Sequence, residues 1–330
     1  MARLALRPIA KILWLFTSLA ALSSGFCSGA VAKGEKSCDD SIRSRDGSRS
    51  ASLREWHNPS IALVSDYEVC FEGYVSNFSG KKDNDGDEKP DVLRVPRFVS
   101  HHIERAEMGP ESHKRPKWFT IDALVSQGIA PTHDSYTFSK PFLDTHKNWY
   151  ERGHLAQKYL LERISADAAY YSHNVANAVP QRGQFNRTVW QQLECYVGAW
   201  ANEYGDVWVV AGPVFLRGAP TDWLKEKNRL VQPVAIPDSL FKIVLRKEGS
   251  EWRALSFIMP QEDERYSDAP KTRMLTHWGT SINQIVRVTG QRFLPDVEQR
   301  SSLKRDQTQR LWPVGRDRFD KPCRKFAGEV

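Results

Sequence analysis

Cysteine is scarce in this chain, with five in 330 residues, and none stands in a Cys-x-x-Cys pair or a His-containing knuckle. A zinc site built on thiolates is thereby left with weak support. No segment repeats itself, which leaves a solenoid or propeller without support. The apolar run from Ile12 to Leu22 falls short of the roughly 20 residues of a comfortable membrane span. The acidic stretch Asp83-Asn-Asp-Gly-Asp-Glu-Lys-Pro-Asp91 lacks the glycine that a calcium loop needs at its sixth position, where Glu88 stands instead. It reads as an acidic turn between strands.

Arg3, Arg7 and Lys11 precede the apolar run, and Ala30-Val-Ala32 follows with small residues at a cleavage spacing. Residues 1–32 therefore read as a secretory signal peptide, and the mature protein is expected to be secreted or periplasmic, with no stable membrane association after cleavage. An uncleaved anchor is disfavoured by length. Lipidation at Cys27 is disfavoured by the bulky Phe26 before it. Cys38, Cys70, Cys195 and Cys323 remain, an even number that suits an oxidising compartment and allows three pairings. Joining Cys38 to Cys70 and Cys195 to Cys323 would tie each terminal extension to the body. Loss of the three leader cations takes the net charge from +7 to +4, so overall charge permits a polyanionic partner without requiring one.

About 300 residues bury a large core, and one domain over residues 67–297 is the simplest division, with an extension at 33–66 and a basic tail at 298–330. Residues 33–60 are polar and read as a loose entry segment. The tail carries nine Lys/Arg against five Asp/Glu, a pattern open to phosphate contact or to a solvated tail pinned by a disulfide. Tyr67 to Asn77 reads as a strand paired with Val92 to Val99, and His101-His102 as an outward pair at a strand-to-helix junction. Asp206 to Ala211, Phe241 to Arg246 and Trp252 to Met259 read as further strands. Trp190, Leu193, Val197 and Trp200 have helical spacing and mark a core-facing helix, and Thr280 to Thr289 a later one. The fold class expected is α+β, a central antiparallel sheet flanked by helices.

The chemistry-bearing stretches are Glu151-Arg152-Gly153-His154 and Asn186-x-x-x-Trp190-x-x-Leu193-Glu194. Histidine has the unperturbed pKa suited to taking a proton from water, which makes His154 the candidate base. Arg152 leaves the same face of an extended segment and offers a rigid fork of donors to a phosphate. Gly153 adds no bulk, so a backbone or phosphate can come close. Asn186 supplies a neutral oxygen for a hard ion that keeps most of its water. On a straight helix Glu194 lies roughly 80° from Asn186, so its action through a water is the simpler reading. Phosphodiester hydrolysis needs this set: a base, a cationic clamp and a place for a metal ion.

Arg152-Gly-His154, Asn177-Ala-Val-Pro-Gln181 and the Asn186 to Glu194 block resemble the DNA/RNA non-specific endonucleases, a family with a ββα-metal active site. Further family-like pieces occur in order: Val95 to Val99, Ala211 to Phe215, Ile236 to Lys242, Phe257 to Pro260 and Val288 to Phe293. The resemblance implies His154, Arg152, Glu194 and Asn177 as catalytic residues, with Asn177 rather than Asn174 matching the asparagine before Pro-Gln. It implies Arg115 and Arg152 as substrate contacts, since Arg115, Phe119 and Asp122 fit a phosphate-binding pattern. The metal would sit on Asn186, with Glu194 through water. Mg²⁺ is the expected ion, with Mn²⁺ or a similar ion able to substitute. DNA and RNA are the implied substrates, cleaved to 5′-phosphate ends. Glu151 departs from the family's usual aspartate, and His173 is an additional histidine read as structural. The other classes weighed are a non-catalytic nucleic-acid binder on this scaffold and a phosphodiesterase for small substrates.

Overall fold

The computed structural model describes residues 67–78, 93–105, 114–120, 125–126, 128–132, 134–136, 150–224, 233–261, 275–291, 293 and 310–327, and the main chain of 35–36. The chain divides into residues 1–30 and residues 31–330, and every described residue belongs to the second unit. The expected leader, the acidic turn at 83–91 and Cys38 lie outside the described residues.

The strands are β1 (Glu35–Lys36), β2 (Tyr67–Phe71), β3 (Tyr74–Phe78), β4 (Phe98–Ile103), β5 (Tyr150–His154), β6 (Ala178–Arg182), β7 (Val207–Val214), β8 (Asp222–Leu224), β9 (Val234–Ile236), β10 (Ser239–Glu248) and β11 (Glu251–Pro260). Four helices matter here: α1 (Lys158–Leu161), α2 (Ala166–Tyr171), α3 (Gln191–Tyr204) and α4 (Ile282–Thr289). Seven strands form one sheet in the order β1-β2-β3-β4-β7-β10-β11, every neighbour antiparallel. The expected α+β class with a central antiparallel sheet is what the chain adopts.

Central strand β7 is buried along its whole length. Its side chains alternate, as a period of two dictates. Val207, Val209 and Ala211 join one apolar cluster with Trp190, Leu193, Val197 and Trp200, while Trp208, Val210 and Val214 join another with Ile282 and Ile285 of α4. Helices thus cover both faces, which explains why β7 reads as a continuous apolar run. Strand β10 alternates in the same way. Phe241, Ile243 and Leu245 face the α4 side, and Leu240 and Val244 face the α3 side, with Lys242 between them in the sequence.

Two local expectations are corrected. Tyr67 to Asn77 is a hairpin rather than one strand, because Gly73 takes a φ of +86° and reverses the chain between β2 and β3. His101 is buried within β4, not turned outward, and burial followed by the Lys242 and His102 charges pushes its pKa well down. In the tail, Leu311, Trp312, Phe319 and Phe326 are buried in the main cluster. Cys195 is bonded to Cys323 across 128 residues, a loop whose closure is worth about 5 kcal/mol in the chain-entropy account. Cys70 is also disulfide-bonded.

Candidate active site

Strands β5 and β6 form a separate antiparallel pair, with Arg152 opposite Pro180 and His154 opposite Ala178. The chain then winds through a short turn at Gly183–Phe185 and a π-helical turn at Asn186–Trp190 into α3. This pair and helix bring Arg152, His154, Asn186 and Glu194, together with Arg115, to one cleft of about 990 Å³. Asn177 is the one expected site residue that does not line it.

The π turn corrects the helix arithmetic. A turn closed by i→i+5 bonds is wider and advances each residue by less than 100°, so the roughly 80° offset of a straight helix shrinks. Asn186 and Glu194 consequently reach the same cleft. Trp190, within that turn, donates from Nε1 to the main-chain oxygen of His154 at 3.1 Å, fixing the helix to the strand.

The His154 ring lies 4.8 Å from Trp118 and 4.8 Å from His173, centroid to centroid. Burial, then the nearby His173 ring and the positive charges of Arg115 and Lys158, push its pKa well below the ordinary histidine value. The imidazole is therefore neutral at pH 7, the form that accepts a proton. His173 is fully buried, makes a 3.0 Å hydrogen bond with Ser172 Oγ, and is held down at about 4 by burial and the Arg115 and Lys158 charges. The guanidinium carbon of Arg152 stands 5.9 Å from the Trp118 ring and 5.4 Å from the Tyr136 ring. Both faces suit a cation.

Asn177 serves the backbone. Its Oδ1 accepts from Ala156 N at 2.8 Å, and its Nδ2 donates to Ala156 O at 2.7 Å and Ser172 O at 2.9 Å. These bonds hold the chain as it leaves His154. At Gly153 the close neighbour is a side chain: a Cβ there would stand 1.9 Å from Gln181 Cδ.

Glu151, which stood out in the sequence only as a departure from the family motif, accepts from Asn186 Nδ2 at 2.8 Å and pairs with Arg187 at 3.3 Å. A carboxylate only accepts, so the amide must turn its NH₂ toward Glu151 and keep Oδ1 for another partner. Glu194 is 4% exposed, and its Oε1 has no hydrogen-bond partner among the described residues. Lys242 lies 3.9 Å from that oxygen and 4.0 Å from the Trp190 ring centroid. Burial raises the Glu194 pKa to about 7 against the pull of the Lys242 charge. Lys242 is lowered to about 8 by burial, against Glu194. Sequence reasoning missed Lys242. The signal was its even spacing with Leu240 and Val244, a charge on the inward phase of an apolar strand.

Outside the cleft, His102, Glu104 and Asp206 have donor atoms within 4.8 Å of one another. His102 meets Asp206 with Nε2 at 3.2 Å and Glu104 with Nδ1 at 3.9 Å. Contacts through two different ring nitrogens suit two separate carboxylate partners better than one shared ion.

A family model described as DNA/RNA non-specific endonuclease matches residues 70–300. The chain is 26% identical to the mitochondrial Nuclease EXOG of Homo sapiens over 218 residues, which is 64% of this chain and 55% of that one. It is 30% identical to the mitochondrial Endonuclease G of Bos taurus over 162 residues, 47% and 52% of the two chains. It is 26% identical to Nuclease C1 of Cunninghamella echinulata var. echinulata over 195 residues, 54% and 74%. A crystal structure of the EndoG/EndoGI complex aligns with 19% identity and a TM-score of 0.49, covering 72% of this chain and 89% of that one. The chain spans little more than half the length of the EXOG and Endonuclease G relatives.

These relatives overturn the expected secreted or periplasmic location, because EXOG and Endonuclease G are mitochondrial nucleases. The physical reason for the error lies in composition. A cationic, acid-free N-terminal segment with several serines satisfies the charge rules of both secretory and mitochondrial leaders. With the family model spanning most of the chain and the ββα unit at its centre, the protein belongs to the DNA/RNA non-specific endonuclease family.

Proposed function

We propose that the protein hydrolyses phosphodiester bonds of DNA and RNA with the help of a divalent ion, leaving 5′-phosphate ends. The observation that carries this reading is the convergence of His154, Arg152 and Asn186 on one cleft with the Glu194 carboxylate, whose Oε1 accepts no hydrogen bond among the described residues and faces only the Lys242 ammonium. The donor set fits a hard cation. Asn186 Oδ1 is left available by the Glu151 contact, and both candidate donors are oxygens. Asn186 would hold the ion directly and Glu194 through a water. When bound, Mg²⁺, or Mn²⁺ in its place, supplies Lewis-acid stabilisation of the charge that builds on the phosphate and leaving oxygens.

The chain's own residues do the rest. His154, held neutral by burial, takes the proton of the attacking water. Arg152, steadied between Trp118 and Tyr136, presents its donors to the phosphate oxygens as their charge grows. Arg115 adds a second cation for the strand. Asn177 positions the turn after His154 and takes no part in proton transfer. None of these groups reads a base, so both nucleic acids are substrates whatever their sequence. Residues 67–297 form the nuclease body in this reading, with 298–330 as a tail.

A plasmid-nicking and RNA-degradation assay with Mg²⁺ and with EDTA tests it. Cleavage of both polymers that stops with EDTA is expected. A chain that binds nucleic acid yet cleaves neither polymer with Mg²⁺, Mn²⁺ or another divalent ion would overturn it.

A further inference from the structure

Residues 310–327 lie beyond the stretch that matches the family model, yet three of them, Asp320, Lys321 and Pro322, line the same cleft as His154 and Asn186. We infer that this C-terminal segment is a built wall of the substrate cleft, and that Lys321 is a specific contact for a backbone phosphate flanking the scissile one. The inference rests on the nuclease reading above and adds a substrate contact to it.

The segment is held at many points. Cys323 is bonded to Cys195, the residue after Glu194, with their Cα atoms 5.4 Å apart. Two steps of about 3.8 Å separate Lys321 from Cys323, so its Cα lies within about 13 Å of that of Cys195. Trp200 Nε1 donates to Trp312 O at 3.1 Å, Asn202 Nδ2 to Arg318 O at 2.7 Å, and Tyr204 OH to Pro313 O at 2.5 Å. All three donors stand on α3, the helix that carries Glu194. Phe319 meets Tyr196 edge-on at 4.9 Å.

Charge then singles out Lys321. Its neighbour Asp320 is engaged by the buried Arg163, whose guanidinium also donates to Gly198 O at 3.2 Å and Asn202 Oδ1 at 3.1 Å. Arg163 occupies the space beside Gly198, where a Cβ would meet Nη2 at 2.8 Å. Elsewhere on the cleft, Lys158 pairs with Glu162 and Arg187 with Glu151. Lys321 is exposed and has no carboxylate within ion-pair distance among the described residues. An ammonium on a rigid wall beside the reacting groups, with its neighbouring acid already neutralised, is suited to a polyanion.

The test is binding of a fluorescein-labelled DNA duplex to the full, oxidised chain by anisotropy. A His154→Ala background keeps the probe whole. One phosphate contact contributes about 0.9 to the slope of log affinity against log salt, so removing it shrinks the parent-to-variant affinity ratio about 3.5-fold from about 50 to about 200 mM salt. Lys321→Ala and Lys321→Gln are each expected to show that loss. Lys325→Ala, on the same segment but with its ammonium 4.7 Å over Phe326, is expected to keep the parent slope. Unchanged slopes in both Lys321 variants would overturn the assignment, and so would an equal loss in Lys325→Ala. Cleavage by the unmutated chain is read separately: its absence sinks the nuclease reading, while the binding comparison still decides Lys321.

Discussion

The carboxylate of Glu151 accepts a hydrogen bond from Asn186 Nδ2 at 2.8 Å, tying the strand that carries His154 to the turn that carries the candidate metal ligand. The contact decides which end of the Asn186 amide is left for an ion. Outer contacts of this kind typically alter metal affinity about 10- to 100-fold. Glu151→Gln is expected to raise the Mg²⁺ concentration for half-maximal cleavage by that order, because a neutral amide no longer imposes one orientation. An unchanged midpoint in a Mg²⁺ titration would contradict the role given to Glu151.

Asn186→Ala removes the proposed ligand itself. Most activity should vanish at limiting Mg²⁺ and return in part when the ion is abundant, whereas Glu194→Gln, acting through a water, should retain more. Rates measured across Mg²⁺ and Mn²⁺ series distinguish the two, and an Asn186→Ala protein equal to the parent at limiting ion would remove Asn186 from the site.

Glu194 also makes a prediction for the metal-free protein. Its folded pKa is raised from 4.5 to about 7, so the folded form keeps a proton that the unfolded chain releases in that interval. Stability from this group is full below 4.5 and is lost as pH rises through about 7, by on the order of 3 kcal/mol. In EDTA, Glu194→Gln should match the parent in urea unfolding at pH 4.5 and exceed it at pH 8. Equal stability at pH 8 would mean that the buried carboxylate carries no such penalty.

Gly153 is predicted to be required by packing. A methyl group there would collide with Gln181, which is fully buried. Overpacking of this kind costs about 1–3 kcal/mol, so Gly153→Ala should lower the urea midpoint and Gly153→Ala with Gln181→Ala should recover part of the loss. If the double variant is no better than the single one, the collision is not the cause.

Much of this was legible in the chain because its signals are local. The apolar runs of β7 and β10, the apolar spacing along α3 and the Arg152-Gly-His154 pattern each lie within one element. What stayed hidden depends on partners distant in sequence. Lys242 meets Glu194 only because β10 lies beneath α3, and Asp320 and Lys321 reach the cleft only because Cys323 bonds to Cys195. The motif that holds Asn177 marks importance without telling chemistry from support. The Asn177 side chain is consumed by the main chain of Ala156 and Ser172. The π turn at Asn186–Trp190 has no signature in helical spacing, which is why the angle between Asn186 and Glu194 was overstated.

The central claim is that His154 is the general base, and single-turnover cleavage by His154→Ala at saturating Mg²⁺ tests it most directly. Positioned proton transfer contributes about 10²- to 10⁴-fold, and a loss of at least that size is expected in a variant that is folded and still binds DNA. The parent rate should hold steady down to pH 6.5 and fall only below it, since burial keeps the His154 pKa under the ordinary value. A folded, metal-supplied His154→Ala protein within about threefold of the parent rate would contradict the account.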